Sequence, residues 1–196
     1  ETHVDRSIDY AEKFVETNVM GTLNLLNCSR EYINKKKIKK FKFIHISTDE
    51  VFGSLKKREK SFTEKSSYDP QNPYSATKAA SDHLIRSFIN TYKFPGIITN
   101  CSNNFGKFQM PEKLIPLVIY KAFLKQKIPI YGNGKQIRDW IYVEDHCSGI
   151  LKVLNKGKLG ESYNIGGGNE ISNINLVKKI LKIINVNVNV NFDYLK

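Results

Sequence analysis

A six-residue run, Phe41-Lys42-Phe43-Ile44-His45-Ile46, limits what this chain can fold into more than any other stretch. It is short, nearly continuously apolar and rich in residues that suit strands, the pattern of a central parallel strand covered on both faces. A parallel strand cannot reach its neighbour through a tight turn and needs a crossover, usually a helix. Helical spacing stands on both sides of the run. From Ile8 to about Ile33 the apolar residues recur as Ala11, Phe14, Val15, Val19, Leu25 and Leu26. Asn72 and Pro73 have the chemistry of a cap and a first helical residue, predicting a second helix to about Tyr92. Its inner face would carry Ala80, Leu84, Phe88 and Ile89 or their neighbours. Gly96 to Cys101 reads as the next strand, so helices and buried strands alternate as in a doubly wound parallel α/β sheet.

Beyond Gly106 the pattern loosens. A helix is expected over Leu114 to Leu124, an extended stretch over Asp139 to Val143, a helix over Val143 to Leu154 and a short strand at Tyr163-Asn164-Ile165 before three glycines. Asn175 to Ile184 has helical patterning, and Asn185 to Phe192 alternates Asn with Val, as a strand with one buried face or a frayed end would. The expected division is residues 1–107 as part of a sheet domain and 108–196 as a smaller α/β part interleaved with it.

Composition excludes several classes. The 196 residues carry a net charge of +12, but the lysines are spread along the chain and the one dense block, Lys35 to Lys40, falls where a helix hands over to a strand. No stacking aromatics interleave with it, so a solvated turn is expected and no nucleic-acid partner. No apolar run approaches the roughly 20 residues of a membrane span. Cys28, Cys101 and Cys147 are odd in number and scattered, which fits a reducing, cytoplasmic setting. The four histidines are dispersed as well, so no metal site is expected. The chain begins at Glu1 within an apparent structured segment, which suggests a start in mid-fold.

Two spacings carry chemistry. Tyr74 and Lys78 lie four residues apart near the start of a helix and share one face. An ammonium beside a phenol favours the phenolate, so the phenol can act as a base near neutral pH. Ser47-Thr48-Asp49-Glu50 directly follows the buried strand, where ligands bind in open α/β sheets. Adjacent carboxylates repel, leaving one protonated acid and one ionised base, a useful pair for elimination. The same four residues are also good capping and turn formers.

These residues resemble the extended short-chain dehydrogenase/reductase superfamily and, within it, the dTDP-glucose 4,6-dehydratases. The likeness runs through almost the whole chain: Glu1-Thr2-His3-Val4-Asp5-Arg6-Ser7, Glu16-Thr17-Asn18, Thr48-Asp49-Glu50-Val51-Phe52-Gly53, Tyr74-Ser75-Ala76-Thr77-Lys78, Asn100-Cys101-Ser102-Asn103-Asn104, Pro111 to Pro116, Gln136-Ile137-Arg138-Asp139-Trp140 and Tyr163 to Gly167. The Thr-Asp-Glu triplet is the specific part, since epimerases and decarboxylases of the superfamily keep the Tyr and Lys but generally carry other residues there. Phe52 and Phe105 stand where the family usually has tyrosine, Thr2 where it has serine, Lys107 where it has proline and Gly168 where it has histidine.

The resemblance implies a Rossmann-like NAD-binding fold and a cycle with no net redox change. In that cycle Tyr74 takes the proton of the sugar's 4-hydroxyl while NAD accepts a hydride from carbon four. Glu50 then removes the hydrogen on carbon five, Asp49 protonates the departing 6-hydroxyl, Thr48 hydrogen-bonds the 4-oxygen and Lys78 holds the cofactor ribose. Hydride return to carbon six gives a 4-keto-6-deoxy sugar. Thr2, Thr17 and Asn104 would line the cofactor along with Tyr74 and Lys78. Thr2, Thr48, Asn103, Lys113, Leu114, Pro129, Ile130, Tyr131, Arg138 and Asn173 would contact the nucleotide-sugar, with Arg138 as the diphosphate clamp. The family's Gly-x-Gly-x-x-Gly turn occurs nowhere in this sequence and is expected upstream of residue 1, and a last substrate segment is expected beyond Lys196. A homodimer packed through the helices around Phe14 and Leu84 is also implied. A UDP-glucose 4,6-dehydratase, a nucleotide-sugar 4-epimerase and an inactive sugar-nucleotide-binding remnant remain the alternatives.

Overall fold

Helices, turns and strands alternate in the computed structural model, which describes residues 1–55, 59–185 and 192–195. The order is α1 (Val4–Asp9), α2 (Ala11–Phe14), a π turn (Val15–Met20), α3 (Gly21–Lys36), β1 (Phe43–Thr48), a 3₁₀ turn (Asp49–Phe52), α4 (Pro73–Tyr92), β2 (Gly96–Cys101) and β3 (Asn103–Phe105). There follow α5 (Leu114–Phe123), β4 (Ile128–Tyr131), β5 (Ile137–Tyr142), α6 (Val143–Lys156), β6 (Ser162–Ile165), β7 (Glu170–Ser172), α7 (Asn173–Ile184) and β8 (Phe192–Leu195). The chain divides into two compact units, Glu1–Cys101 with Cys147–Ile165, and Ser102–His146 with Gly166–Lys196.

The first unit is built on a parallel sheet of order β1-β2-β6. The apolar run does become a strand, but the paired segment starts at Phe43 and extends through Ser47 and Thr48, two residues further than the apolar pattern. Its burial is uneven: His45 and Ser47 are buried while Ile46 stands 46% exposed, so hydrophobicity alone does not assign the faces. Helix α4 starts where expected. Asn72 Oδ1 accepts from the Ser75 backbone N–H at 2.8 Å, Ser75 Oγ accepts from the Asn72 N–H at 3.2 Å, and Pro73 occupies the first turn. Its buried side runs through Tyr74, Thr77, Ser81, Asp82, Ile85 and Phe88, so Phe88 is buried as expected, while Leu84 and Ile89 pack half-buried against the same core. Ile85 and Phe88 join Leu26, Phe94 and Ile98 in one core cluster, where each large side chain contributes roughly 1.5–3 kcal/mol by leaving water.

The long helical segment after Tyr10 differs from its pattern. Phe14 and Leu26 are buried, but Val15 and Leu25 are exposed. The π turn between them winds more widely than an α-helix and rotates α3 relative to α2, so a uniform helical period misassigns the faces.

The second unit holds β3 paired in parallel with β5, β5 paired antiparallel with β7, and β4 paired in parallel with β8. Val118, Ile128, Ile130, Val177 and Ile180 form its core, contributed by α5, β4 and α7. Strands β3, β4 and β7 have only three or four residues each, too short for an alternation to show in sequence. Most of the Asn-Val tail lies outside the described residues. Among the described residues no helix is long and apolar enough to cross a membrane.

Candidate active site

The carboxyl end of β1 delivers the Thr-Asp-Glu triplet to a tight turn. Thr48 caps it, its Oγ1 accepting from the Glu50 N–H at 3.3 Å, so the capping expected of these residues is present. Gly53 closes the turn at φ 85°, and a Cβ there would collide with the carbonyl of Asp69. The segment after the turn folds back: the Asp69 N–H donates to Val51 O at 2.9 Å, and Phe52 stacks on Phe62 with centroids 5.2 Å apart. Asn72, the cap of α4, donates from Nδ2 to Glu50 Oε2 at 3.4 Å. The cap that starts the helix thus also orients the proposed base.

Tyr74 sits in the first turn of α4, buried, with the Phe14 ring edge-on at 6.4 Å. Its backbone N–H donates to Ser7 Oγ at 3.1 Å. Burial pushes the Tyr74 phenol well above its ordinary range, and the charge of Glu50 adds to this, followed by Cys101 and Asp49. A hydrogen bond with Thr48 pulls the other way. The spacing argument, in which Lys78 lowers this phenol, is not what the structure shows. Lys78 Nζ donates to the Ile46 carbonyl at 2.7 Å, and desolvation lowers its own pKa, opposed by the charge of Asp82. Burial and carboxylates decide the phenol's titration here.

Thr2 and Thr17 are both exposed. Between them and α4 runs a polar tie that sequence reading missed. Asn18, in the π turn, donates from Nδ2 to Glu1 O and to Thr77 Oγ1, each at 3.1 Å, and its carbonyl accepts from Ser81 Oγ at 2.7 Å. Thr77 lies between Tyr74 and Lys78, so the segment carrying Thr2 and Thr17 is fastened to α4. Small polar residues buried on a helix face, Ser75, Thr77 and Ser81, were the available signal.

In the second unit the structure gathers several of the expected substrate contacts. Leu114 opens α5 and packs against the core with Ile130, which is 2% exposed and can offer a ligand only its backbone. Pro129 and Tyr131 flank it on β4. Asn173 begins α7, with its N–H donating to Gln136 O at 3.0 Å, and Arg138 pairs with Ile171 two residues before it. Arg138 is exposed, its Nη1 on the Ile137 carbonyl at 3.0 Å. Lys113 precedes α5 as its cap residue. Asn103 and Asn104 lie apart from that group on β3, opposite Trp140 and Ile141.

Asp139, between Arg138 and Trp140, has a role no spacing announced. It accepts from the N–H groups of Gly167 at 2.7 Å and Asn169 at 2.6 Å, tying down the glycine triplet. Burial would raise its carboxyl, but the backbone donors together with the Ser102 hydroxyl outweigh that and hold it below its usual value. Gly167 is required at this approach, because a Cβ would collide with the Trp140 carbonyl.

Residues 1–193 match the family described as GDP-mannose 4,6 dehydratase. A dTDP-glucose 4,6-dehydratase of Xanthomonas campestris pv. campestris (strain B100) is 52% identical over 187 residues, covering 94% of this chain and 53% of that protein. The crystal structure of a dTDP-glucose 4,6-dehydratase from Streptomyces venezuelae with NAD bound superposes with a TM-score of 0.88 at 43% identity, covering 95% of this chain and 56% of that one. A UDP-glucuronic acid 4-epimerase from Bacillus cereus, solved with UDP-glucuronic acid and NAD, gives a TM-score of 0.82 at 29% identity, covering 93% and 55%. The chain spans about half the length of the curated relatives it matches.

Proposed function

The chain belongs to the GDP-mannose 4,6 dehydratase family, and from that premise we propose that its protein is an NAD-dependent hydro-lyase that converts a nucleotide-glucose, dTDP-glucose first, to the 4-keto-6-deoxy sugar. The observation that carries this reading is the turn Thr48-Asp49-Glu50 beside Tyr74, with Glu50 close enough to Tyr74 for its charge to act on the phenol. An epimerase needs the phenol and the lysine but has no use for an acid and a base on carbons six and five.

The residues present fit the nicotinamide-ribose end of NAD. Lys78 and Tyr74 come from one helix face at the carboxyl end of β1, and an ammonium and a phenol are what a ribose hydroxyl and a reacting alcohol need. Bound NAD supplies reversible hydride uptake at carbon four and hydride return at carbon six. Thr48 would hold the 4-oxygen and Tyr74, as the phenolate, would take its proton, a form that the positive charge of bound NAD would favour against the burial that keeps the phenol protonated. Oxidation at carbon four acidifies the hydrogen on carbon five, which Glu50, oriented by Asn72, would remove while Asp49 protonates the leaving 6-hydroxyl. Tyr74, Lys78, Thr2, Thr17 and Asn104 are assigned to the cofactor. Thr2, Thr48, Asn103, Lys113, Leu114, Pro129, Ile130, Tyr131, Arg138 and Asn173 are assigned to the nucleotide-sugar, with Ile130 acting through its backbone. Residues 1–107 would supply the cofactor side and catalysis, and 108–196 mostly the nucleotide-sugar side. A cytoplasmic homodimer is part of the same reading. Val15, Leu25 and Tyr32, exposed on the helical segment around the π turn, support the dimer, and sedimentation velocity of the complete gene product tests it.

The test is to incubate the complete gene product with NAD and dTDP-glucose, with UDP-glucose in parallel, and to follow loss of water by mass spectrometry. Dehydration is expected, and Glu50→Gln should reduce it by at least about 10²-fold. Inversion at carbon four without loss of water would replace this reading with the epimerase, and NAD binding without turnover would replace it with the remnant.

A further inference from the structure

Tyr74, Lys78 and Asp82 follow one another at four-residue steps along α4, so a third ionisable side chain extends the face that carries the proposed base and its lysine. Asp82 is fully buried. A carboxylate out of water is costly unless donors surround it, and here they do. Oδ2 accepts from Tyr68 Oη at 2.8 Å, Ser47 Oγ at 2.9 Å and Asn100 Nδ2 at 3.4 Å. Oδ1 lies 3.1 Å from His45 Nε2, out of line for a hydrogen bond. Arg86 adds a second layer, its Nη2 donating to Tyr68 Oη at 3.3 Å and to Ser162 Oγ at 3.2 Å.

The donors are not scattered. Ser47 is the residue before Thr48, and Asn100 spends another N–H on the Thr48 carbonyl at 3.1 Å. One carboxylate therefore gathers the ends of β1 and β2 and the segment leading into α4 around the residue that opens the catalytic turn. Its negative charge acts on Lys78 as well, together with Cys101 from β2, while the Ile46 carbonyl from β1 holds the lysine's head. Tyr68, whose hydroxyl is committed to Asp82, is pushed up to about 12 by burial and by that carboxylate, so it stays a donor.

We propose that Asp82 is the positioning residue of the site: its buried carboxylate holds the end of β1 that carries Thr48-Asp49-Glu50 and sets a negative charge behind Lys78. For turnover this rests on the dehydratase reading above. For Lys78 it stands alone. The charge of Asp82 is the larger of the two charges that oppose the desolvation favouring the neutral lysine, so deleting it should lower the Lys78 titration.

The experiment substitutes Asp82→Asn and Ser47→Ala in the complete gene product and reads two quantities. The first is the pH titration of Lys78, followed by competitive acetylation and mass spectrometry, which needs no turnover. The second is kcat and KM for dTDP-glucose across pH. Asp82→Asn should move the Lys78 titration to lower pH by about half a unit or more, and bring the alkaline limb of kcat down with it. It should lower kcat by about 10-fold to 10²-fold while KM stays within about threefold. Ser47→Ala keeps the charge, so it should lower kcat by about threefold or more and leave the Lys78 titration in place. An unmoved Lys78 titration in folded Asp82→Asn overturns the proposal, as does a wild-type kcat in Ser47→Ala. If Asp82→Asn does not fold, Ser47→Ala and Tyr68→Phe decide: wild-type kcat in either overturns it, and reduced kcat with KM retained in both supports it. A shifted Lys78 titration in a protein that never dehydrates sugar would instead sink the dehydratase reading and leave the Asp82 assignment standing.

Discussion

The two units are held together differently. In the first, the end of the sheet is fastened by buried polar side chains, with Ser47, Asn100 and Tyr68 converging on Asp82 and with Asn18 and Ser81 tied to each other. In the second, α5, β4 and α7 close over Val118, Ile128, Ile130, Val177 and Ile180, an entirely apolar cluster. Hydrogen bonds are directional and fix where atoms sit, at a small net gain in stability. Apolar burial is non-directional and supplies most of the stability. The first arrangement suits chemistry that must be placed to a fraction of an ångström. The second suits a unit that must stay folded while it presents surface groups such as Arg138 and Tyr131.

Core and clamp substitutions should separate the two designs. Ile128, fully buried in the apolar cluster, should cost about 2–5 kcal/mol when cut to alanine, because the cavity adds to the lost burial. Urea unfolding measures it. A cost under about 1 kcal/mol would mean that this core collapses freely and is not the close-packed body described. Asp139 comes next, as a polar clamp in the second unit. Asp139→Ala leaves the Gly167 and Asn169 N–H groups without their acceptor and should cost about 1–2 kcal/mol. Its folded pKa is depressed, so its contribution is present above the ordinary carboxylate value near about 4 and disappears as pH falls through the lower folded value. Asp139→Asn should therefore flatten the acid side of the stability curve, and an unchanged acid limb would deny the clamp.

The same contrast explains what the sequence could reveal. Apolar runs and cap chemistry mark α4, β2, α5 and α7 to within a residue or two at most ends, because those elements are specified locally. The triplet after β1 and the Tyr74–Lys78 pair were legible for the same reason, as neighbours in sequence. What stayed hidden depends on partners far along the chain. Asp82 meets Ser47 across 35 residues, and Asp139 meets Asn169 across 30. Asn18, reached from Thr77 across 59 residues, could not be told from any other helix asparagine. The π turn shifted the faces of α2 and α3 without leaving a mark in the apolar period.

The smallest expected effect tests whether directional placement in the first unit reaches the Tyr74 phenol. Burial is the main reason Tyr74 titrates high. The second reason is the charge of Glu50, and Glu50→Gln deletes that charge while keeping the side chain's size. The Tyr74 titration should then move down, towards the ordinary phenol value without reaching it. Thr48→Val should move it the other way, since the hydroxyl that stabilises the phenolate is gone. Phenolate absorbance in the near ultraviolet reads both shifts, and a Tyr74→Phe control assigns the signal among the ten tyrosines. Opposite displacements would mean that the turn after β1 sets the phenol's charge through geometry, as the polar network implies. If neither variant moves it, burial alone governs Tyr74, and in this respect the first unit would be organised on the same non-directional terms as the second.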